Sequence, residues 1–369
     1  MRRLAWGLTI LAIFVMARTA SCVAVVPAKA PSELARLARG KAFARARVFL
    51  PDQPEISSLD LTSNPTDDRP FRSDAPLTCR FIPEPVKGTT PKFACRLDGG
   101  EVVKIKYGRT PEIPAEIGAT RLLSALGFAA DRVSFVRTLR CVGCPPTPFR
   151  VRQVAETLLL AGLFERTVDY DTVRTFDDVA VERKFPGTAI KVESIEGWDF
   201  TELQWVDPKV GGAGRDEIDA LRLVAVLLAH WDNKAPNQRL ICLDPVVDEA
   251  TTSCRRPLLM LQDLGATFGP SKANRARWAA VPVWEDAATC TAGMTALPYQ
   301  GASFKPVRIS EGGRVLLAQR IRQLTRQQLH DLFEHAGFPA DDGSHDEWVT
   351  VLEQKIREIV ERSPCPSAV

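Results

Sequence analysis

Residues 221–229, Leu221-Arg222-Leu223-Val224-Ala225-Val226-Leu227-Leu228-Ala229, form an aliphatic run interrupted only by Arg222, which predicts a buried helix. It empties into His230-Trp231-Asp232-Asn233-Lys234-Ala235-Pro236-Asn237, where Pro236 forbids further helix. A second aliphatic run, Leu258-Leu259-Met260-Leu261, predicts a buried strand leading into Gln262-Asp263-Leu264-Gly265. Upstream, short alternating segments at 79–82, 92–97 and 101–107, with a turn at Asp98-Gly99-Gly100, predict an antiparallel meander. Residues 114–127 begin with proline, carry apolar positions at helical spacing and stop at glycine, so they predict a helix. Alternation predicts further strands at 133–139, 151–155 and 179–185, and helical period returns at 313–336 and 345–360. Residues 187–214, with Trp198 and Trp205, predict an irregular insertion whose tryptophans serve core or lid.

These patterns divide the chain. Met1-Arg2-Arg3 followed by an apolar stretch to Ala17 predicts a signal peptide over residues 1–22, and hence export to the periplasm, the outer surface as a lipoprotein, or the medium. Thr19-Ala20-Ser21 before Cys22 resembles a lipobox, with Thr19 where leucine is usual, so a lipid on Cys22 is the one expected route to a membrane. Residues 23–75, rich in Pro, Ala, Arg, Ser and Asp, predict a tether and partly ordered lead-in. A β-rich unit over 76–185 and a helical unit over 186–369 follow.

Charge narrows the partners. Loss of Arg2, Arg3 and Arg18 takes the formal net charge of +3 to zero, which removes the global basic field that nucleic acid requires. The remaining basic stretch, Arg36, Arg39, Lys41, Arg45 and Arg47, predicts a solvated helix face. Of the 9 cysteines, all but Cys22 make an even set suited to an oxidising compartment. Proximity pairs Cys79 with Cys95, Cys141 with Cys144 and Cys242 with Cys254, and elimination leaves Cys290 with Cys365. Cys141-Val142-Gly143-Cys144 also has the spacing of half a zinc site or a redox pair, but no second pair lies nearby and there are only 4 histidines, so a structural disulfide is expected.

Acidic residues and an amide on loops at the ends of buried elements are the arrangement that holds a divalent cation beside a phosphate. The spacing of His230, Asp232, Lys234 and Asn237 resembles the catalytic loop of eukaryotic-type protein kinases, His-Arg-Asp-x-Lys-x-x-Asn, and Asp263-Leu264-Gly265 stands where those kinases have Asp-Phe-Gly. Residues 263–269 also resemble the metal-binding segment of the secretory-pathway kinases related to the Golgi casein kinase. The resemblance spans about residues 79–340.

It implies an α+β, two-lobed protein kinase-like fold, with a small antiparallel sheet and one helix beside a larger, mainly α-helical lobe. It further implies an exported phosphotransferase that uses a magnesium or manganese complex of ATP, or another nucleoside triphosphate, on an unidentified hydroxyl acceptor, either protein serine or threonine or a sugar or small molecule. Asp263 and Asn237 would hold metal, Asp232 would orient the acceptor and take its proton, Lys234 would approach the transferred phosphate, and His230 would brace the loop. Gly88, Thr89, Thr90 and Lys92, on the loop from Lys87 between the first two strands, would meet the nucleotide phosphates. A strand lysine would do so too: Lys104 is preferred because it follows the Val-Val pair, Lys106 is second, and Glu116 in the first helical turn would pair with it. Trp231 replaces the usual arginine, which argues against control by a phosphorylated activation loop, and Gln262 stands where an apolar residue is common. Three other readings use the same residues: an inactive pseudokinase, a disulfide-stapled structural or interaction protein of the cell envelope, and a metal-dependent hydrolase built on Asp232, Asp263 and His230.

Overall fold

The computed structural model describes residues 33–366 apart from 54, 87, 193–194, 245–253, 299–301 and 341–342. The expected signal peptide, Cys22, residues 23–32 of the expected tether, and Lys87 lie outside the described residues. The fold is α+β.

Helix α1 (Glu33–Ala44) opens the described chain. Strands β1 (Leu77–Ile82), β2 (Lys92–Leu97) and β3 (Val102–Lys106) follow, then helix α2 (Glu112–Ala125) and strand β4 (Arg132–Val142). Helices α3 (Pro148–Thr157) and α4 (Ala161–Arg166) precede strand β5 (Val173–Arg183). The meander is antiparallel as expected, but the sheet closes into a barrel in the order β1-β2-β3-β5-β4. Closure is the work of β4, which pairs antiparallel with β5 along its length and parallel with β1 from Leu77↔Leu139 to Arg80↔Val142. A closed sheet has no free edge, and the alternating residues Phe81, Phe93, Val103, Ile105, Leu139 and Val181 fill its interior. The segment 151–155, expected as a strand, is part of α3 instead. Phe149, Arg152 and Ala155 are buried three apart, Pro148 sits in the first turn, and Arg152 pairs with Glu156 one turn on, so an apolar pattern that fitted both periods is settled by the helix start.

The remaining elements are strand β6 (Thr188–Ala189), helix α5 (Arg215–Leu227), strands β7 (Gln238–Cys242) and β8 (Pro257–Leu261), and helix α6 (Arg275–Ala279). Strands β9 (Trp284–Asp286), β10 (Thr291–Ala292) and β11 (Val307–Arg308) form a small sheet, and helices α7 (Glu311–Ile321), α8 (Arg326–His335) and α9 (Asp346–Val360) complete the chain. The run at 313–336 is two helices because Thr325 caps α8 in a reciprocal capping box with Gln328. Trp198 is buried and Trp205 exposed, so only the first serves the core. All four expected disulfides form: Cys79–Cys95, Cys141–Cys144, Cys242–Cys254 and Cys290–Cys365. They suit an exported protein. Among the described residues, no helix is long and apolar enough to cross a membrane.

Helix α2 joins the barrel to the large core. All 14 of its residues are buried, and Ile113, Ile117, Leu122 and Leu123 belong to the apolar cluster that includes α5 and α7 to α9, not to the barrel interior. The described part of the lead-in is not a tether. Phe43, Ala46, Val48, Ile56 and Leu61 are buried in that same cluster. The Arg47 backbone accepts from Leu259 N at 2.9 Å and donates to Pro257 O at 2.8 Å, so the segment runs alongside β8. Of its basic residues, Arg39 is buried on Glu202 at 2.8 Å rather than solvated. Beyond the short stretch from Phe43 to Leu50, apolar residues spaced singly among polar ones leave no periodic mark in the sequence.

Phe43→Ala therefore leaves a core cavity and should cost about 3–5 kcal/mol, while Leu37→Ala on the exposed side of α1 should change stability by no more than about 0.5 kcal/mol. Urea unfolding midpoints compare the two. Equal, near-zero effects would restore the tether.

Candidate functional site

Strand register decides which lysine is available. In the barrel, Lys104 lies opposite Glu182 on β5 and forms an ion pair with it. Lys106, two residues on, faces Ala180 on one side and Lys92 on the other, so the ladder offers it no carboxylate. Its ammonium turns to α2 and to the loop after β8. Lys106 Nζ lies 2.7 Å from Glu116 Oε2, 3.1 Å from Glu112 Oε1 and 3.1 Å from Asp263 Oδ1, with the lysine side chain fully buried. The preference for Lys104 is thus reversed: Lys106 is the strand lysine that meets Glu116 and Asp263.

Glu112 was not foreseen. It stands one helical turn before Glu116 on the same face, the spacing by which the sequence could have revealed it. Thr90 donates to Glu112 through its hydroxyl, and Lys272 pairs with the same carboxylate, so both are committed to it. A Cβ on Gly265 would fall 2.1 Å from Glu112 Cγ, which is why the residue after Leu264 must be glycine for this carboxylate to lie against the loop. On the loop before β2, Gly88 and Thr89 are exposed, and Gly88 (φ +98°) lies over the Lys92 amine, 2.8 Å from where its Cβ would be. Lys92 itself is buried, with no carboxylate in ion-pairing range among the described residues.

Opposite charges set the ionisation. Burial pushes Lys106 down, but the carboxylates of Glu116, Asp263 and Glu112 outweigh it and hold the ammonium well above its usual range. Burial raises Glu112, and Lys106, Lys272 and Thr90 overcome it, pushing the carboxyl down to about 2. Burial lifts Asp263 as well, and the charges of Lys106, Lys104 and Lys92 bring it far below the carboxylate range, so it is an anion at neutral pH. Glu116 has the least relief: burial pushes it up to about 7 despite Lys106, with Glu182 and Asp263 adding repulsion. Burial and the neighbouring Lys106 lower Lys92.

The β7–β8 hairpin brings the two loops together. Asn237 directly precedes β7, Gln262 directly follows β8, and Gln262 N donates to Asn237 O at 2.9 Å. The Cys242–Cys254 disulfide pins the other end of the hairpin, away from Asp263. Trp231 N donates to Ala266 O at 3.3 Å, and the Trp231 indole donates to Gly269 O at 3.0 Å. Asn233, fully buried, donates to His230 O and accepts from Ser303 N and Phe304 N, each at 2.8 Å. Asn233 and Trp231 therefore brace the loop, the role expected of His230. The His230 ring is wholly buried and neither nitrogen has a hydrogen-bond partner among the described residues. Burial pushes it down to about 4 against the charges of Asp232 and Asp263.

Lys234 Nζ meets both carboxylate oxygens of Asp232 at 2.9 Å. Asn237 Nδ2 donates to Asp232 O at 2.5 Å, which leaves its Oδ1 as an acceptor. Asp263 keeps Oδ2 clear of Lys106, and its side chain is 43% exposed. Carboxylate and amide oxygens are the donor type that a hard cation such as magnesium takes. Asp263 (φ +50°) and Ala229 (φ +53°) hold left-handed backbone that disfavours residues with a Cβ, strain of the kind that collects at functional loops. His230, Asp232 and Asp263 do not form a ligand trio among the described residues, which weighs against the hydrolase reading.

No family model and no curated protein matches the chain. Among solved structures it is similar to a Helicobacter pylori proinflammatory kinase, CtkA, with 10% identity, a TM-score of 0.46, and coverage of 77% of this chain and 95% of that one.

His230 is neutral when folded down to about pH 4, but in the unfolded chain it titrates near 6.5. Between these values the unfolded chain binds the extra proton, so the contribution of His230 is complete above pH 6.5 and falls as the pH drops toward 4, by about 3 kcal/mol at most, against the opposite slope of Glu116, whose raised carboxyl adds stability as the pH falls below about 7. Urea unfolding across this window should show His230→Phe losing the His230 contribution. An identical slope in wild type and variant contradicts the assignment.

Proposed function

We propose that the chain is an exported, kinase-like phosphotransferase of two-lobed design, the barrel acting as the small lobe and α5 with α7 to α9 as the larger one. The observation that carries this reading is the buried Lys106 ammonium, which ties β3, α2 through Glu116, and the loop after β8 through Asp263. In phosphoryl transfer, a strand lysine paired to a helix carboxylate beside a metal-binding aspartate is a positioning device for nucleotide phosphates.

In this reading Lys106 and Lys92 supply positive charge toward the phosphates, and the exposed backbone at Gly88 and Thr89 covers them. Asp263 Oδ2 and Asn237 Oδ1 would hold magnesium or manganese, which when bound neutralises charge on the nucleotide phosphates. Asp232 accepts the hydrogen bond of an acceptor hydroxyl and then its proton; Lys234 fixes both oxygens of that carboxylate and so sets its direction. His230 stays neutral and takes no proton near pH 7. The donor is ATP or another nucleoside triphosphate, and the acceptor a hydroxyl of protein, sugar or small molecule.

Glu112 favours a second reading, the inactive pseudokinase. It places a further anion on Lys106 beside Thr90, so part of the lysine's charge is already neutralised before any phosphate arrives.

Calorimetry with magnesium-ATP, and transfer of labelled phosphate to hydroxyl acceptors, separate the readings. Lys106→Met and Asp263→Asn should each lower transfer about 100-fold or more, whereas Lys104→Met, whose lysine pairs within the sheet, should stay within about threefold of wild type. Nucleotide binding without transfer supports the pseudokinase, and neither binding nor transfer supports the envelope structural protein.

A further inference from the structure

At the other end of the β7–β8 hairpin from Asn237 and Asp263 lies a cavity of about 620 Å³, lined by Leu243 just beyond β7 and by Pro257 and Leu258 at the start of β8. A strand advances about 3.3 Å per residue, so the cavity and the candidate site are separated by roughly 20 Å. Its other walls come from the lead-in at Arg45, Arg47 and Phe49 and from α7 at Leu316 and Arg320. The lead-in is held there by the parallel bridge between Arg47 and Leu258 and by Leu50 N donating to Gly127 O at 2.8 Å.

Two properties set this cavity apart. The first is its charge: Arg45, Arg47, Arg255, Arg256 and Arg320 line it with, among the described residues, one carboxylate, Glu217. That carboxylate is occupied by Arg47 at 2.8 Å, and Arg256 is held by Asp244 at 3.0 Å. Arg45, Arg255 and Arg320 have no carboxylate partner among the described residues. Arg320 is the most telling of them. Its Nε donates to Leu126 O at 2.6 Å and its guanidinium lies 5.1 Å from the Phe49 ring centre, yet its Nη2 is buried with no acceptor. Buried N–H groups normally find a partner, and here the described residues supply none.

The second property is the apolar wall of Phe49, Leu50, Leu243, Leu258 and Leu316, which a bare inorganic anion would leave unused. A pocket of several hundred cubic ångströms with an apolar wall and a few fixed polar groups is the usual form of a small-molecule site, and guanidinium is the side chain best matched to carboxylate and phosphate.

We propose that this cavity binds a small amphiphilic anion: a carboxylate or phosphate head taken by Arg320 with the unpaired Arg45 and Arg255, and an apolar body against Phe49, Leu258 and Leu316. The proposal is independent of the phosphotransferase reading.

Calorimetric titration of the purified full chain tests it, with decanoate and decyl phosphate as probes below their micelle concentrations. Decyl maltoside serves as the uncharged counterpart and inorganic phosphate as the bare anion. Saturable binding of one molecule per chain is expected for decanoate or decyl phosphate, with both comparison compounds at least about tenfold weaker. The double variant Arg45→Glu/Arg255→Glu changes two exposed residues, so its melting temperature should stay at the wild-type value while affinity for the preferred probe falls about tenfold or more. A preference for decanoate identifies a fatty-acid-like ligand, and one for decyl phosphate a phospholipid-like head group. Absence of saturable binding, equal binding of decyl maltoside, or unchanged affinity in the double variant overturns the proposal.

Discussion

One buried ammonium governs the architecture. Removing Lys106 from water costs several kcal/mol unless opposite charges replace the lost hydration, and the barrel, which places Ala180 and Lys92 beside it, supplies no carboxylate in ion-pairing contact. The carboxylates come from Glu112 and Glu116 on α2 and Asp263 beyond β8. Satisfying one charge therefore fixes the position of a helix and a loop from distant parts of the chain. It also explains why α2 is buried throughout: its polar face meets the lysine while Ile113, Ile117, Leu122 and Leu123 enter the large core.

The loop from His230 to Asn237 is organised on a different principle, through neutral hydrogen bonds. Asn233 and Trp231 tie it to the segments around Ser303 and Gly269, so Asp232 and Lys234 are presented from a rigid frame. The buried His230 ring is the cost of this packing. Its neutrality leaves Lys234 as the cation paired with Asp232.

Much of this was legible where local rules suffice. The aliphatic run before His230, the Asp263-Leu264-Gly265 turn after β8 and the disulfide pairs depend on short-range pattern, and the structure places them accordingly. What was hidden depends on register and tertiary contact. The choice between Lys104 and Lys106 turns on Glu182, which lies far along the chain and is revealed only by the pairing of β3 with β5. Glu112 looked like an ordinary acidic residue at a helix start, and Lys272 reaches it only because the loop beyond Gly269 folds back. The lead-in escaped notice because, beyond the short stretch from Phe43 to Leu50, single apolar residues such as Ile56 and Leu61 carry no period, and barrel closure because a parallel β1–β4 pairing joins segments with no turn between them.

Lys106 on β3 and Glu116 on α2 form the ion pair that links barrel and helix. A double-mutant cycle in urea, using Lys106→Met, Glu116→Gln and their combination, measures this coupling directly. Breaking a buried pair from either side strands the partner, so the two single losses should exceed the double loss when summed, with a coupling energy of about 2 kcal/mol or more. Additive effects, within about 0.5 kcal/mol, would contradict the account.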